Sequence, residues 1–196
     1  MKQDDKKFPE YVLGADPGKH GGIVLISTSY NPVCISKEDI IQIPVHKNDE
    51  GRLDTLEIWD KLLPYRDRIV LYVQEEVHAL FGSSASGTFF FGEAAGSLYT
   101  ILKLLSHTSA RDTKAEVLLV SPKIWQKKAW KSDHIVYEAT KKDTTRKKKD
   151  TKATSTNAAS SIFPGVSFVP PRCRTVHDGL VDAALIAYYG LRKISG

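Results

Sequence analysis

Residues 11–26, YVLGADPGKHGGIVLI, decide the fold. The apolar run Tyr11 to Asp16 breaks at Pro17-Gly18, Gly21-Gly22 turn the chain, and Ile23 to Ile26 form a second apolar run. That order predicts a β-hairpin. Working outward, a third strand is expected over Ile40 to Val45. Leu53 to Leu63 carries apolar residues at helical spacing and stops before Pro64. Arg68 to Glu75, RIVLYVQE, is nearly uninterrupted in apolar character, as expected of an inner strand covered on both faces. A Gly/Ser loop over Leu80 to Gly87 precedes a helix from Thr88 through Ser106, and Glu116 to Val120 is another short strand. The stretch Lys123 to Lys149 mixes Trp and Lys with polar residues and yields no assignment. Asp150 is placed to cap a helix running to Phe163, and Val176 to Leu191 has helical periodicity. A hairpin, then strands alternating with helices, then a terminal helix, describes an α/β fold of three layers with a mixed sheet flanked by helices.

The 196 residues suit one domain, with residues 1–9 as a polar leader and 10–196 as the folded unit. No apolar run approaches the roughly 20 residues needed to span a bilayer, and the N-terminus lacks an apolar targeting segment. The two cysteines, Cys34 and Cys173, are far apart and read as reduced thiols of a cytoplasmic protein. The formal net charge is +5 and the pI about 9.1. Much of the positive charge crowds one segment, 123–152, with Lys123, Lys127, Lys128, Lys131, Lys141, Lys142, Arg146, Lys147, Lys148, Lys149 and Lys152. Such a block can neutralise phosphates, or be merely solvated.

Acidic residues stand where a structural role is hard to supply. Asp16 ends an apolar strand at a tight turn; a turn-forming Asp bonded to its own backbone is the plain alternative. Glu75 and Glu76 end another strand, on opposite faces, and alternation cannot choose between them. Asp178 and Asp182 are one turn apart on one face of the last helix, a like-charge spacing that costs roughly 0.2–0.5 kcal/mol in an isolated helix. Asp178 also suits a helix start, whereas Asp182 lies a turn deeper. Hard oxygen ligands of this kind suit Mg²⁺ or Mn²⁺. Two such ions about 3.5–4 Å apart serve phosphodiester hydrolysis.

Residues 12–22, VLGADPGKHGG, resemble the first motif of RuvC-type Holliday-junction resolvases, in the RNase H-like superfamily. Residues 75–78, EEVH, resemble the second, which implies Glu75 rather than Glu76 as the ligand. Residues 177–190, HDGLVDAALIAYYG, resemble the closing helix, closest to the phage and chloroplast branch, whose final acids are also four apart. FFFGEAAG (89–96), SPKIWQKK (121–128) and KKDTKATSTNAASSIFP (148–164) are similar to that branch too. The resemblance implies a five-stranded RNase H-like domain and a homodimer that recognises four-way DNA junctions. It also implies Mg²⁺-dependent paired nicks, with Asp16, Glu75, Asp178 and Asp182 holding two ions. Lys123, Lys127, Lys128, Lys147, Lys149 and Lys152 are the expected DNA-backbone contacts.

His78 departs from the bacterial pattern, which has a junction-contacting phenylalanine there; Phe81 or the Phe89–Phe91 group are the replacements to consider. The lysine-rich run 141–152 is a second departure. His78 and His177 could each serve the site or have structural roles. Trp125 and Trp130 could stack on bases or pack as core, and Ser83, Ser84 and Ser86 could contact phosphate. An actin-like phosphotransferase shares the Asp-Pro-Gly turn but normally needs a second such domain. A non-catalytic branched-DNA-binding module, or a nuclease for forks or flaps, are the other readings.

Overall fold

The computed structural model describes residues 9–29, 33–46, 52–78, 84–140 and 143–196, with residues 140 and 143–146 described by backbone alone. The hairpin forms as expected: β1 (Tyr11–Asp16) pairs antiparallel with β2 (Gly22–Ser27), Asp16 opposite Gly22. Gly18 makes the turn at φ +126°, a backbone region that glycine enters without steric cost, and Gly21 N–H closes it onto the Gly18 carbonyl at 2.9 Å. β3 (Ile40–Gln42) extends the sheet beyond β2. It ends earlier than Val45 because Pro44 has no N–H to continue a ladder, and Val45 instead forms an isolated bridge with Leu53.

On the other side of β1 lie β4 (Ile69–Glu75) and β5 (Glu116–Val120), both parallel. The resulting order, β3-β2-β1-β4-β5, is the expected mixed sheet of five strands. Alternation along β1 and β4 sends Val12, Leu71 and Val73 into one core and Leu13, Ala15 and Tyr72 into the other. Two helices cover the second face. α1 (Thr55–Leu62) is capped by Asp54 and continues through Pro64 as a 3₁₀ turn to Arg68, where proline is tolerated at the start of the new turn. α2 (Ala85–Thr108) starts three residues earlier than Thr88, because the Ser84 hydroxyl accepts from Gly87 N–H at 3.0 Å and caps it.

The first face carries α3 (Pro122–Ala129), α4 (Thr151–Ile162, capped by Asp150) and α5 (Asp178–Ile194). Between α3 and α4 the unassigned lysine-rich segment forms a separate hairpin, β6 (Val136–Thr140) with β7 (Asp143–Asp150). α5 lies against β1 and β2 at backbone distance. A Cβ on Gly14 would overlap the Ala183 carbonyl and the Ala187 amide, and Gly22 likewise abuts the Gly179 carbonyl. The start of α5 is thereby drawn to the end of β1, where Gly21 bridges Gly179.

Replacing Gly14 by alanine therefore forces helix and sheet apart. The expected loss in urea unfolding is about 3 kcal/mol or more, the upper range for overpacking against an unyielding neighbour. A loss under about 1 kcal/mol would show that the helix can shift freely.

Candidate active site

β1 and β4 are neighbours, so their C-terminal residues, Asp16 and Glu75, stand side by side at one sheet edge. Strand alternation assigns both to the α5 face, Asp16 in phase with Val12 and Glu75 with Val73. Asp178 opens α5, and Asp182 follows one turn later. The four carboxylates share one electrostatic field. Burial raises Asp16 well above the ordinary carboxylate range, and the charges of Glu75, Asp182 and Asp178 add to it. Burial pushes Glu75 up to about 7, with the Asp182 charge adding and a hydrogen bond from Trp125 opposing. Asp182 rises to about 6 by burial, with the Asp178 charge adding and the Ser155 hydroxyl and Lys152 ammonium opposing.

A bound cation would relieve all three at once. The donor set fits a hard divalent ion: oxygen ligands only, and a buried Asp182 Oδ1 with no hydrogen-bond partner among the described residues. The four acids are not a finished cage, since among the described residues no three His, Cys, Asp or Glu side chains already form a metal-holding group.

Glu75 and Glu76 separate cleanly. The Glu75 carboxylate accepts the Trp125 indole N–H at 2.7 Å within the site. Glu76 donates its backbone N–H to Val120, and its carboxylate pairs at 3.7 Å with the exposed His78. His177 caps α5: its Nδ1 accepts from Leu180 N–H at 3.3 Å and its Nε2 meets Gln42 Nε2 at 3.3 Å. Burial, with the nearby His20, lowers its pKa, so the ring is neutral at physiological pH.

Of the expected DNA contacts, Lys123, Lys127 and Lys128 are exposed on α3 and Lys147 and Lys149 on β7. Lys152, at the start of α4, is 2.5 Å from Asp178 Oδ2 and so reaches the acidic cluster itself. Trp125 is fully buried, and Trp130 packs edge-on against it. Phe81 and Ser83 lie outside the described residues, Ser84 is a helix cap and Phe89 is 64% exposed on α2. Three partners of the acids were not picked out as such from the residues: Trp125 to Glu75, Ser155 to Asp182 and Lys152 to Asp178. A cavity of about 400 Å³ between the Gly18 turn and α2 contains none of the four acids, so the carboxylates and not that cavity define the site.

Strand order and layering define an RNase H-like fold. Two solved structures share it: Thermus thermophilus RuvC in complex with Holliday junction substrate, and Thermus thermophilus RuvC. The first matches at TM-score 0.58 and 15% identity over 92% of each chain. The second matches at TM-score 0.55 and 16% identity, over 95% of this chain and 96% of that one. No protein-family profile and no curated protein sequence matches the chain.

The raised Asp182 sets a pH dependence. Between the ordinary carboxylate value and about 6 the folded chain holds a proton that the unfolded chain releases, so this residue's contribution to stability falls as pH rises through that window. Asp182→Asn should therefore be more stable than wild type at pH 7.5 in EDTA by about 1–3 kcal/mol. The difference should vanish below about pH 4. Urea unfolding at the two pH values checks it, and a variant less stable at pH 7.5 would contradict the buried-charge account.

Proposed function

We propose that this chain is a metal-dependent endonuclease of the RuvC type that resolves four-way DNA junctions as a homodimer, one nuclease domain spanning residues 10–196. The observation that carries the reading is the group of half-buried, mutually repelling carboxylates, Asp16, Glu75 and Asp182, beside Asp178. Such repulsion has no structural use, and a divalent cation removes it. Two Mg²⁺ ions, or Mn²⁺, held by these four would activate water and neutralise the leaving oxygen in phosphodiester hydrolysis.

The protein's own part is to hold, orient and screen. Trp125 and Ser155 fix the Glu75 and Asp182 carboxylates. Exposed Lys123, Lys127, Lys128, Lys147 and Lys149 supply phosphate contacts that are strong, sequence-independent and salt-sensitive. Lys152 stands at the boundary, its ammonium on Asp178 and near enough to the site to meet a phosphate there. Junction DNA as substrate is supported by the fold match to a RuvC in complex with Holliday junction substrate. The phage and chloroplast branch is supported by the four-residue spacing of Asp178 and Asp182. A cytoplasmic site of action is consistent with the absence, among the described residues, of any helix long and apolar enough to cross a membrane.

A homodimer is supported by the outward stripe of α2. Ala85, Phe89, Gly92 and Gly96 follow one another at helical spacing on its exposed side, and a Cβ on either glycine would meet nothing within 4 Å. A large exposed aromatic beside two open glycines suits close approach of a second copy. Light scattering should give twice the chain mass for the wild type and a shift toward the monomer for Phe89→Glu. A monomeric wild type would remove the dimer from the proposal.

The decisive experiment is cleavage of an end-labelled four-way junction, beside linear duplex, with Mg²⁺ and with EDTA. Paired, symmetric nicks near the crossover that require metal are expected. Asp16→Asn and Asp182→Asn should lose at least about 100-fold in rate, beyond what an outer-shell contact usually costs, while still binding the junction. Tight binding without cutting in either Mg²⁺ or Mn²⁺ would instead make the chain a branched-DNA-binding module.

A further inference from the structure

The β6–β7 hairpin and the acidic site are joined by three consecutive contacts. The Trp125 indole N–H donates to Glu75 Oε2 at 2.7 Å. The Trp125 and Trp130 rings meet edge to face, centroids 6.1 Å apart at 81°. Lys149 Nζ on β7 lies 5.2 Å from the centre of the Trp130 ring. One end of this chain of contacts is a carboxylate of the proposed active site. The other is an exposed lysine of a basic arm.

The mechanical character of the three links differs. Trp125 is fully buried in the core under α5, so its indole moves only with its neighbours and its hydrogen bond to Glu75 is directional. Trp130 is only partly buried, and its indole N–H has no hydrogen-bond partner among the described residues, so ring contacts alone hold it. Lys149 is exposed and free to leave the ring for a better partner. A phosphate is such a partner, because a charge-assisted hydrogen bond outweighs an exposed cation–π contact. The softest joint therefore lies between the arm and Trp130, and the stiffest is at Glu75.

We propose that Trp125 is the positioning residue for the Glu75 carboxylate, and that Trp130 and Lys149 tie it to the hairpin, so that DNA held by the hairpin adjusts Glu75. This rests on the nuclease reading for its consequence, but the linkage itself does not need turnover to be seen. DNA draws Lys149 off the Trp130 ring, Trp130 resettles against Trp125, and the Trp125 N–H carries the change to Glu75. Occupancy of the arm would thereby set how Glu75 is presented to an ion held with Asp16, Asp178 and Asp182. An idle chain would in this way present a weaker metal site than one on its substrate.

Indole N–H signals in a ¹H–¹⁵N spectrum test the linkage, with three tryptophans to resolve: Trp59, Trp125 and Trp130. Trp59 packs in the opposite core and serves as the internal control. Glu75→Gln should move the Trp125 signal and leave Trp59 in place. Four-way junction DNA added in EDTA should move both Trp130 and Trp125, and in Lys149→Met the Trp125 movement should be lost. With Mg²⁺ present, Trp125→Phe, which keeps an aromatic side chain but removes the donor, should lower the cleavage rate about 10- to 100-fold and raise the Mg²⁺ needed for half-maximal rate, with junction affinity within about twofold of wild type. A Trp125 signal that ignores both Glu75→Gln and bound DNA overturns the proposal, as does a folded Trp125→Phe with unchanged rate and metal requirement. If Trp125→Phe does not fold, the spectra of Glu75→Gln and Lys149→Met decide alone. A wild-type chain that shows the indole shifts but never cuts overturns the nuclease reading while the linkage stands.

Discussion

The approach of α5 to the sheet at backbone distance is the constraint on which the rest depends. Gly14 and Gly22 on the strands, and Gly179 on the helix, remove the side chains that would hold these elements apart. Helix and strand then meet without an intervening layer, and the first turns of α5 come to the ends of β1 and β4. Any bulkier spacing would carry Asp178 and Asp182 away from Asp16. The same closeness takes these carboxylates out of water, which is why burial is the first cause of each raised acid. Packing that makes the fold also makes the site costly to ionise. The apolar cores on either face of the sheet outweigh that cost.

Charge is distributed to match. Acids occupy the sheet edge, whereas lysines coat α3 and the start of α4, elements that pack on α5, and the β6–β7 hairpin, which packs on α4. A polyanion drawn by the lysines would be repelled by bare carboxylates at closest approach. Lys152 moderates this at Asp178, being the one cation that touches the acid group among the described residues. That pair is mostly exposed and so contributes little to stability. Its importance is local, since with Ser155 and Lys152 acting on Asp182 and Trp125 on Glu75 it leaves Asp16 as the acid whose charge is least screened by protein.

Much of this was legible from the residues. The hairpin, β4, β5 and α5 follow from apolar runs and tight turns, because a buried strand or helix must present apolar side chains at its own period. Asp16, Asp178 and Asp182 stood out because they interrupt such runs. Residues 136–150 did not read as strands, since a hairpin with lysines, threonines and acids on both faces carries no apolar alternation. Glu75 and Glu76 were indistinguishable by period alone; the motif resemblance implied Glu75, and the α5 packing face and the α3 indole, some 50 positions away along the chain, separate them. Ser155 lies in a run of hydroxyl residues from which helix phase, not composition, selects the one facing Asp182. Lys152 read as one more member of a basic block because its partner is brought near by tertiary packing of α4 on α5. What was missed is thus long-range and polar, the kind of contact that leaves no periodic trace.

Protons and divalent cations are two ways of relieving the same repulsion, and their competition sets the conditions under which the site can work. With Asp182 at about 6 and Glu75 at about 7, neutral pH leaves the first mostly ionised and the second divided between its two forms. Acidification fills the site with protons and removes the driving force for a metal ion. Alkaline conditions leave the carboxylates charged and a cation more strongly favoured. Metal binding would therefore release protons near neutrality, and affinity for an ion would rise with pH across the same range in which the metal-free chain loses stability. A cation bound at these carboxylates would stabilise the chain by removing the repulsion that its fold holds there.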